Sequence, residues 1–223
     1  MDTLEKTESF ARPYMIDCNS EPDITIQQNV KDIKEEYPNF SEEMCDYLAS
    51  GKLFYHQLVK YDGIFLHSSA VVKDNYAYLF SAPCGTGKST HTSLWRRVFG
   101  DDNVRILNDD KPALRLENGI WYAYGTPWSG KTGQNLNLRF PLRGICFLGR
   151  GAENKIWKMN AMESVRSVLS QSSKIIDKEL KEKHLDLVVK LVEQVPIWKM
   201  ECNMNPEAAL ISYEAMSGKE EQK

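Results

Sequence analysis

The pattern of apolar positions predicts a series of short strands before the first long helix. Apolar runs bounded by glycine, asparagine and aspartate predict strands at residues 53–59, 64–72, 76–81, 104–107, 113–116, 120–124 and 144–148. Two less regular patterns predict an edge strand at 23–26 and a late strand at 197–200. Most of the predicted sheet therefore lies between residues 53 and 148.

Capping residues predict where helices begin outside this region. These helices start at Ser41, Asn160, Asp177 and Asn205. Gly51 closes the first of them, because glycine commonly follows the last turn of a helix. The helix after Asp177 is long and amphipathic, so the predicted helices gather near the C-terminus.

A glycine-rich run connects the strand predicted at 76–81 to a helix predicted at 90–98. The run comprises Ala82, Pro83, Cys84, Gly85, Thr86, Gly87, Lys88, Ser89 and Thr90. A strand, a glycine-rich loop and a helix in this order are typical of a P-loop. In such a loop, backbone N–H groups surround nucleotide phosphates, a lysine (here Lys88) supplies charge, and a hydroxyl (here Ser89) binds Mg²⁺. The helix N-terminus adds its positive dipole end.

The run departs from the full P-loop pattern at one position. Ala82 stands where G-x-x-x-x-G-K-[ST] has its first glycine. The alternative interpretation is an ordinary glycine-rich turn with an exposed lysine. The flanking strand and helix favour nucleotide binding.

Two adjacent carboxylates, Asp109 and Asp110, follow the strand predicted at 104–107. Their side chains face different directions, because side chains alternate along an extended chain. One carboxylate can reach Mg²⁺ while the other orients or deprotonates an attacking hydroxyl, and phosphoryl transfer requires both roles. The alternative is a solvated acidic turn.

Four further residues are candidates for the same chemistry. His67 lies in a predicted strand and could assist proton transfer or pair with a carboxylate, although a core histidine would have the same pattern. Lys131 belongs to a second glycine-rich loop at 125–133, which could contact phosphate or substrate. Arg139 and Arg143 are candidates for a positive clamp on the transferred phosphoryl group, or are surface arginines.

Composition excludes several functional classes. The 28 basic and 31 acidic residues give a net charge of −3, which does not indicate a nucleic-acid surface. Five scattered cysteines without a C-x-x-C pair favour neither a zinc site nor a disulfide framework. No apolar run reaches membrane-spanning length, and the polar N-terminus lacks a secretory signal. We therefore expect a cytoplasmic protein without a membrane or nucleic-acid partner.

The order of the elements predicts the fold class. Doubly wound P-loop domains alternate strand and helix, whereas here the strands are consecutive and most helices come later. We expect an α/β protein of the α+β type, with a mixed, largely antiparallel sheet and C-terminal helices. The 223 residues, of which 42% are hydrophobic, suit a single domain over 1–223.

With these residues assembled, the chain resembles the catalytic domain of HPr kinase/phosphorylase, whose P-loop fold is shared with phosphoenolpyruvate carboxykinase. The matching elements are His67, the run at 85–90 and the Asp109–Asp110 pair, with His67 lying 21 positions before Lys88. The second loop, at 125–128, is similar to the carboxykinase branch. The resemblance covers roughly residues 64–150.

The resemblance implies a kinase that uses ATP and Mg²⁺ to phosphorylate a hydroxyl, often a protein serine. The loop residues from Pro83 to Thr90 would hold the phosphates. Ser89 would bind Mg²⁺ with one aspartate of the pair, to which we assign Asp110. Asp109 or Asp110 would act as the base, coupled to His67.

The resemblance also divides the chain into regions. Residues 61–150 would form the nucleotide-binding core, residues 1–60 would carry the acceptor-specific surface, and 151–223 would form a helical part. The acceptor would be a hydroxyl-bearing protein, peptide or small molecule, and a homo-oligomer is compatible with the family. Two alternatives stay open: a nucleotide-binding regulatory module with little or no turnover, and a simple NTPase that uses water as acceptor.

Overall fold

The computed structural model describes residues 4–17, 20–27 and 30–218. The described helices are α1 (Glu5–Ala11), α2 (Val30–Glu36), α3 (Glu42–Leu58), α4 (Lys88–Phe99), α5 (Ala161–Gln171), α6 (Lys178–Gln194) and α7 (Glu207–Ser217). The described strands are β1 (Gly63–Phe65), β2 (Ser68–Lys73), β3 (Tyr76–Ser81), β4 (Arg105–Asn108), β5 (Ala113–Glu117), β6 (Ile120–Tyr124), β7 (Arg139–Arg150), β8 (Lys155–Lys158) and β9 (Ile197–Cys202).

The strands form one mixed sheet around the long strand β7. The hydrogen-bonded order is β1-β5-β6-β7-β3-β2-β4, and β9 joins β7 with β8 outside it. Six of the eight pairings in the described part are antiparallel, and only β3–β7 and β7–β9 are parallel. The predicted fold class, α/β with a mixed and largely antiparallel sheet, is confirmed.

Four strands end at the same edge of this sheet. Both β3 and β4 run antiparallel to β2 and are therefore parallel to each other. Both β7 and β9 run in the same direction as β3. The residues that end these strands are Ser81, Asn108, Arg150 and Cys202. Segments that follow these ends converge, as they do at the ligand-binding edge of open α/β sheets.

Side chains of β3 alternate between two hydrophobic cores, one on each face of the sheet. Tyr78 and Phe80 pack against Trp95 of α4 on one face. Ala77 and Leu79 belong to the core that α5 and α6 cover on the other face. Because alternate side chains of β3 point to opposite faces of the sheet, Tyr78 and Phe80 both pack against α4. This packing holds α4, and with it the preceding loop, against one face of the sheet.

Helix α3 is longer than the sequence pattern predicts. Ser41 is its N-cap, as predicted, and accepts a hydrogen bond from Met44 N at 3.2 Å. The helix continues to Leu58, so the strand predicted at 53–59 is wrong, as is the closing role of Gly51. A β-carbon on Gly51 would lie 2.8 Å from Cδ1 of Trp128, so this glycine lets an indole ring pack against the middle of the helix.

The edge strand predicted at 23–26 is also wrong. No strand is present among the described residues 20–27. Side chains beyond this segment take the place of strand partners: Gln57 Nε2 donates to Thr25 O at 3.0 Å, and the Tyr61 hydroxyl donates to Asp23 O. The backbone is therefore held by α3 and the 3-10 turn Val59–Tyr61 rather than by the sheet.

Several boundaries differ from the sequence prediction. The strand predicted at 64–72 is divided into β1 and β2, because His67 N donates to Gln171 O at 2.8 Å instead of joining the ladder. Strand β7 extends beyond the predicted 144–148 in both directions. Helix α7 has Pro206 rather than Asn205 at its N-cap, without a side-chain cap. Within the described residues, no helix combines the length and apolar character needed to cross a bilayer.

Candidate active site

The glycine-rich loop leaves β3 at the edge where four strands end, and leads directly into α4. Gly87 is the N-cap residue of α4. Its φ is +112°, a backbone conformation that residues other than glycine rarely adopt. It offers no side-chain cap, so the first N–H groups of α4 keep their capacity to bind an anion. The loop therefore has the local geometry of a phosphate cradle.

Lys88 is the first residue of α4, and its side chain folds back over the loop. Its Nζ donates to Ala82 O at 3.0 Å, and the residue is 8% exposed. Burial lowers the pKa of Lys88, and the carboxylates of Asp110 and Asp109 act in the opposite direction. A buried ammonium that is hydrogen-bonded to a neutral carbonyl is poorly compensated, and an anion in the loop would compensate it.

Asn108, at the end of β4, fixes the turn that carries the two aspartates. Its Oδ1 accepts from the backbone N–H groups of Asp110 at 3.0 Å and Lys111 at 2.7 Å. Its Nδ2 donates to Thr126 O at 3.0 Å, which ties the turn to the second glycine-rich loop. Sequence analysis missed Asn108, although asparagine commonly holds turns by such side-chain bonds.

Asp109 faces α4. It is 7% exposed, and its Oδ1 accepts a hydrogen bond from Ser69 Oγ at 2.6 Å. Ser69 Oγ also lies 3.0 Å from Oγ1 of Thr92, which is in the second turn of α4. This carboxylate is thus linked by hydroxyl groups to the helix that starts at the loop.

Asp110 has different partners from Asp109, as the alternation predicted. Its Oδ1 lies 3.2 Å from Nε2 of His67, and its Oδ2 accepts from Lys111 Nζ at 2.8 Å. Burial raises the pKa of Asp110, but the hydrogen bonds and charges of His67 and Lys111 outweigh burial and lower it to about 2. An ionised carboxylate only accepts hydrogen bonds, so Nε2 of His67 carries a hydrogen.

His67 is held on three sides. Its backbone N–H donates to Gln171 O at 2.8 Å, its carbonyl accepts from Ser81 Oγ at 2.8 Å, and its Nδ1 lies 3.1 Å from Oε1 of Gln171. Gln171 ends α5, and no sequence signal marked it. These contacts fix the imidazole beside Asp110, so a functional pair requires no rearrangement.

The second glycine-rich loop packs against the same aspartate. A β-carbon on Gly130 would lie 2.9 Å from Cβ of Asp110, so the two backbones approach closely. Gly130 N donates to the hydroxyl of Tyr47 at 3.1 Å, and Trp128 Nε1 donates to Ser50 Oγ at 3.2 Å. Helix α3 therefore reaches the site through this loop.

Three sequence candidates lie outside this cluster. Lys131 is exposed and has no hydrogen bond or ion pair with any described residue. Arg143 lies near the start of β7, away from the loop, where its Nη2 donates to Ser217 O at 2.7 Å. Arg139 is bound by Glu117 and by the Tyr124 hydroxyl, on the far half of the same strand.

Arg150 is the arginine that does reach the loop. It ends β7, and its Nη2 donates to Gly85 O at 2.7 Å. Sequence analysis placed the end of this strand earlier and so missed Arg150. The register supplies the reason: β7 runs parallel to β3 and extends past Ser81, so its last residue passes beside the loop.

Two cavities adjoin the cluster. One of about 480 Å³ lies beside the glycine-rich loop and is lined in part by Thr86, Thr90 and Arg150. The other, of about 570 Å³, is lined by Lys111 and by aromatic side chains of α3 and its surroundings, including Tyr47 and Tyr55. The loop therefore borders one space of small-molecule size, and Lys111, which pairs with Asp110, borders the other.

The donor set fits Mg²⁺ only in combination with a nucleotide. The exposed Ser89 hydroxyl and the aspartate carboxylates are the hard oxygen ligands that Mg²⁺ prefers. In the part of the chain that the structure describes, no group of three or more His, Cys, Asp and Glu side chains could hold a metal ion. A cation here would take its remaining ligands from phosphate oxygens and water, as is usual for Mg²⁺.

No protein-family model and no curated protein sequence matches the chain. Among solved structures, the chain is similar to the Hpr(Ser) kinase/phosphatase from Coxiella burnetii, with a TM-score of 0.41 and 10% sequence identity. The match covers 70% of this chain and 97% of that chain. At this identity and TM-score, the similarity extends to the overall architecture only.

Proposed function

We propose that this protein is a kinase that transfers the γ-phosphoryl group of ATP, with Mg²⁺, to a hydroxyl of a protein, a peptide or a small molecule. The observation that carries the proposal is the convergence of three groups at one edge of the sheet. The glycine-rich loop with Lys88, the carboxylate of Asp109 and the Asp110–His67 pair meet there. Phosphoryl transfer depends mainly on such positioning and on charge stabilisation.

The loop would hold the nucleotide phosphates. Backbone N–H groups at the start of α4 and the Lys88 ammonium supply positive potential from one side. Lys88 would exchange its bond to Ala82 O for one to phosphate, which replaces a neutral acceptor by a charged one. Arg150 would keep the loop in shape through Gly85 O.

Mg²⁺ would be held by Ser89 and one carboxylate of the Asp109–Asp110 pair, and would neutralise charge on the phosphates. Asp109 is favoured because it faces α4 through Ser69 and Thr92. Asp110, which sequence analysis assigned to the metal, already accepts from His67 and Lys111. The Mg²⁺ dependence of ATP affinity in Asp109→Asn and Asp110→Asn identifies which carboxylate contributes.

Asp110 and His67 would place the acceptor hydroxyl. The acceptor oxygen forms a bond to the γ-phosphorus, the bond from that phosphorus to the β–γ bridging oxygen breaks, and ADP leaves. A carboxylate whose pKa is about 2 is a weak base. Its contribution would be to orient the hydroxyl and accept its proton late in the transfer, which suits a loose transition state.

The acceptor would enter from the aromatic cavity beside Lys111. The cavity is bordered by Tyr47 and Tyr55 of α3, and its lining includes the exposed residues Lys174 and Ile176. The Tyr55 hydroxyl donates to Lys111 O, so the cavity wall is tied to the turn that carries Asp110. This arrangement supports a role in acceptor binding for part of residues 1–60.

The test is ADP release from MgATP in the presence of serine-containing peptides and small hydroxyl compounds, with transfer to the acceptor detected by mass. We expect acceptor-dependent ADP release that Asp110→Asn reduces far more than it reduces ATP affinity. Asp101→Asn, at an exposed carboxylate that pairs with Arg96, is the matched control and should behave as the wild type.

Other outcomes would replace the proposal by an alternative. ADP release that is independent of any acceptor would indicate a simple NTPase. Lys88-dependent ATP binding without turnover under all conditions would indicate a regulatory module. Wild-type turnover in Asp110→Asn would contradict the role of the Asp110–His67 pair.

A further inference from the structure

Ser173 lies in the connection between α5 and α6 and lines the aromatic cavity beside Lys111. The residue is half-buried, and its hydroxyl forms no hydrogen bond with another described residue. The other hydroxyl-bearing side chains of the described lining are the phenols of Tyr37, Tyr47 and Tyr55. Among the described residues, Ser173 is therefore the one aliphatic hydroxyl that lines the space through which the acceptor would enter.

The chain holds Ser173 close to the Asp110–His67 pair. Gln171 O accepts from the backbone N–H of His67 at 2.8 Å, and Gln171 Oε1 lies 3.1 Å from Nδ1 of the same histidine. Ser173 is two residues further along, and two residues of chain span at most about 7 Å. Lys111, whose Nζ donates to Asp110 Oδ2 at 2.8 Å, lines the same cavity as Ser173. The Ser173 hydroxyl is thus near the carboxylate that would accept its proton.

The segment that carries Ser173 is anchored on both sides but irregular between the anchors. On one side, Gln171 bonds His67, and on the other, Ile175 is 8% exposed and belongs to the core that α5 and α6 cover. The backbone at 173–176 forms no hydrogen bond with other described residues. Ser173 can therefore shift towards a bound phosphate without breaking backbone hydrogen bonds, while the anchors keep it at the cavity wall.

The charges around Ser173 would stabilise a phosphate on it. Three lysines line the cavity, namely Lys52, Lys111 and Lys174. Glu36 is the one acidic residue in the described part of the lining. Lys52 and Lys111 already pair with carboxylates, whereas the exposed Lys174 forms no hydrogen bond or ion pair with a described residue. A phosphoserine carries a charge of about −1.5 to −2 near pH 7, which the adjacent ammonium of Lys174 can partly neutralise.

We propose that Ser173 is a modification site, and that the protein transfers a phosphoryl group from its own bound ATP to this hydroxyl. Oγ of Ser173 forms a bond to the γ-phosphorus, the bond from that phosphorus to the β–γ bridging oxygen breaks, and ADP leaves. The hydroxyl proton passes to the carboxylate of Asp110. The inference rests on the proposed function and deepens it by naming one acceptor within the chain. The transfer is intramolecular, so this acceptor has a high effective concentration.

Mass spectrometry of the full chain and of its peptides tests the proposal. The purified wild type is treated with a phosphatase, freed from it, and incubated with MgATP. We expect one phosphate per chain, located on Ser173. Because the transfer stays within one chain, its half-time should be the same at low and at high protein concentration. A half-time that shortens as the protein concentration rises would overturn transfer within one chain.

Ser172 provides the matched control, because it is the preceding residue and its hydroxyl donates to Leu169 O at 3.2 Å. Ser172→Ala should be phosphorylated on Ser173 like the wild type, whereas Ser173→Ala should gain no phosphate. Ser173→Thr keeps a hydroxyl and should carry phosphothreonine at this position. Calorimetry should show that all three variants bind MgATP like the wild type, which separates loss of the acceptor from loss of the fold. Asp110→Asn should bind MgATP but gain phosphate far more slowly.

Two results would overturn the inference and leave the proposed function in place. One is a Ser173→Ala variant that gains as much phosphate as the wild type. The other is a wild type that stays unmodified while it transfers phosphate to an added serine peptide. If the wild type binds MgATP but modifies neither itself nor any added acceptor, both the inference and the proposed kinase activity are wrong.

Discussion

Asp109 and Asp110 are neighbours in sequence but belong to different environments. Asn108 holds the turn so that one carboxylate faces Ser69 and α4, and the other faces His67 and Lys111. The alternation of side chains made this division predictable. The partners of each carboxylate were less so, because Gln171, which holds His67, is 104 positions away from it in sequence.

Asp110 should make stability depend on pH in the acid range. Its pKa falls from an ordinary value of 3.8 to about 2 on folding, so its stabilisation is fully present above about pH 4 and is lost as pH falls towards 2. Asp110→Asn should lower the free energy of unfolding by about 2 kcal/mol at pH 7. Urea denaturation should show that the difference in unfolding free energy between the wild type and Asp110→Asn decreases between pH 4 and pH 3.

The exposed Asp101 provides the control for this experiment, because its pairing with Arg96 is a surface interaction of small net value. Asp101→Asn should track the wild type over the whole pH range. If the difference in unfolding free energy between Asp110→Asn and the wild type stays constant down to pH 3, ionisation of Asp110 does not stabilise the turn.

Arg150 and Arg143 lie on the same strand, but their replacement by alanine should affect ATP affinity differently. Arg150→Ala removes the bond to Gly85 O, so we expect ATP affinity to fall about threefold to tenfold. Arg143→Ala removes a bond to Ser217 O at the other end of β7 and should leave ATP affinity unchanged. Calorimetry on both variants checks this. An equal loss in Arg143→Ala would restore the sequence-based candidate.

Among the elements, local signals located the glycine-rich loop between β3 and α4 because strand, loop and helix are contiguous in sequence. The helix α3 shows where such signals fail. In the sequence, Gly51 and the apolar residues after it predict a helix end followed by a strand. In the structure α3 instead continues through Gly51 to Leu58, and the ring of Trp128 packs in the space beside this glycine. A contact between residues so distant in sequence is not visible in a local pattern.

The second glycine-rich loop should be sensitive to a single methyl group. Gly130 has φ +71°, and an added β-carbon would also lie 2.9 Å from Cβ of Asp110. Gly119 has φ +82° in the β5–β6 turn, with no atom within 4 Å of such a β-carbon. Gly119→Ala therefore isolates the backbone strain of about 1–2 kcal/mol.

Gly130→Ala should lose more unfolding free energy than Gly119→Ala and should also lower turnover, because it displaces Asp110. Gly119→Ala should leave turnover unchanged. Denaturation and ADP-release measurements on the two variants check both expectations. Equal losses of stability with normal turnover in Gly130→Ala would mean that the loop does not position Asp110.

For the whole molecule, the sheet topology explains why the candidate groups meet. Strands β3, β4, β7 and β9 end at one edge, which brings together the loop, the aspartates, Arg150 and the cavity beside the loop. The sequence predicted the mixed sheet from the order of its elements, and it predicted a glycine-rich loop between a strand and a helix, which the structure has at this edge. It did not predict the contribution of Arg150 or of α3, because these depend on strand register and on long-range packing.

We propose that the loop around Lys88 binds the phosphates of MgATP. Calorimetric titration with ATP, with and without Mg²⁺, of the wild type, Lys88→Ala and the exposed control Lys158→Ala tests this binding. We predict Mg²⁺-dependent binding that Lys88→Ala weakens about tenfold to one hundredfold and Lys158→Ala leaves intact. Equal ATP affinity in the wild type and Lys88→Ala, or no binding by the wild type, would contradict it.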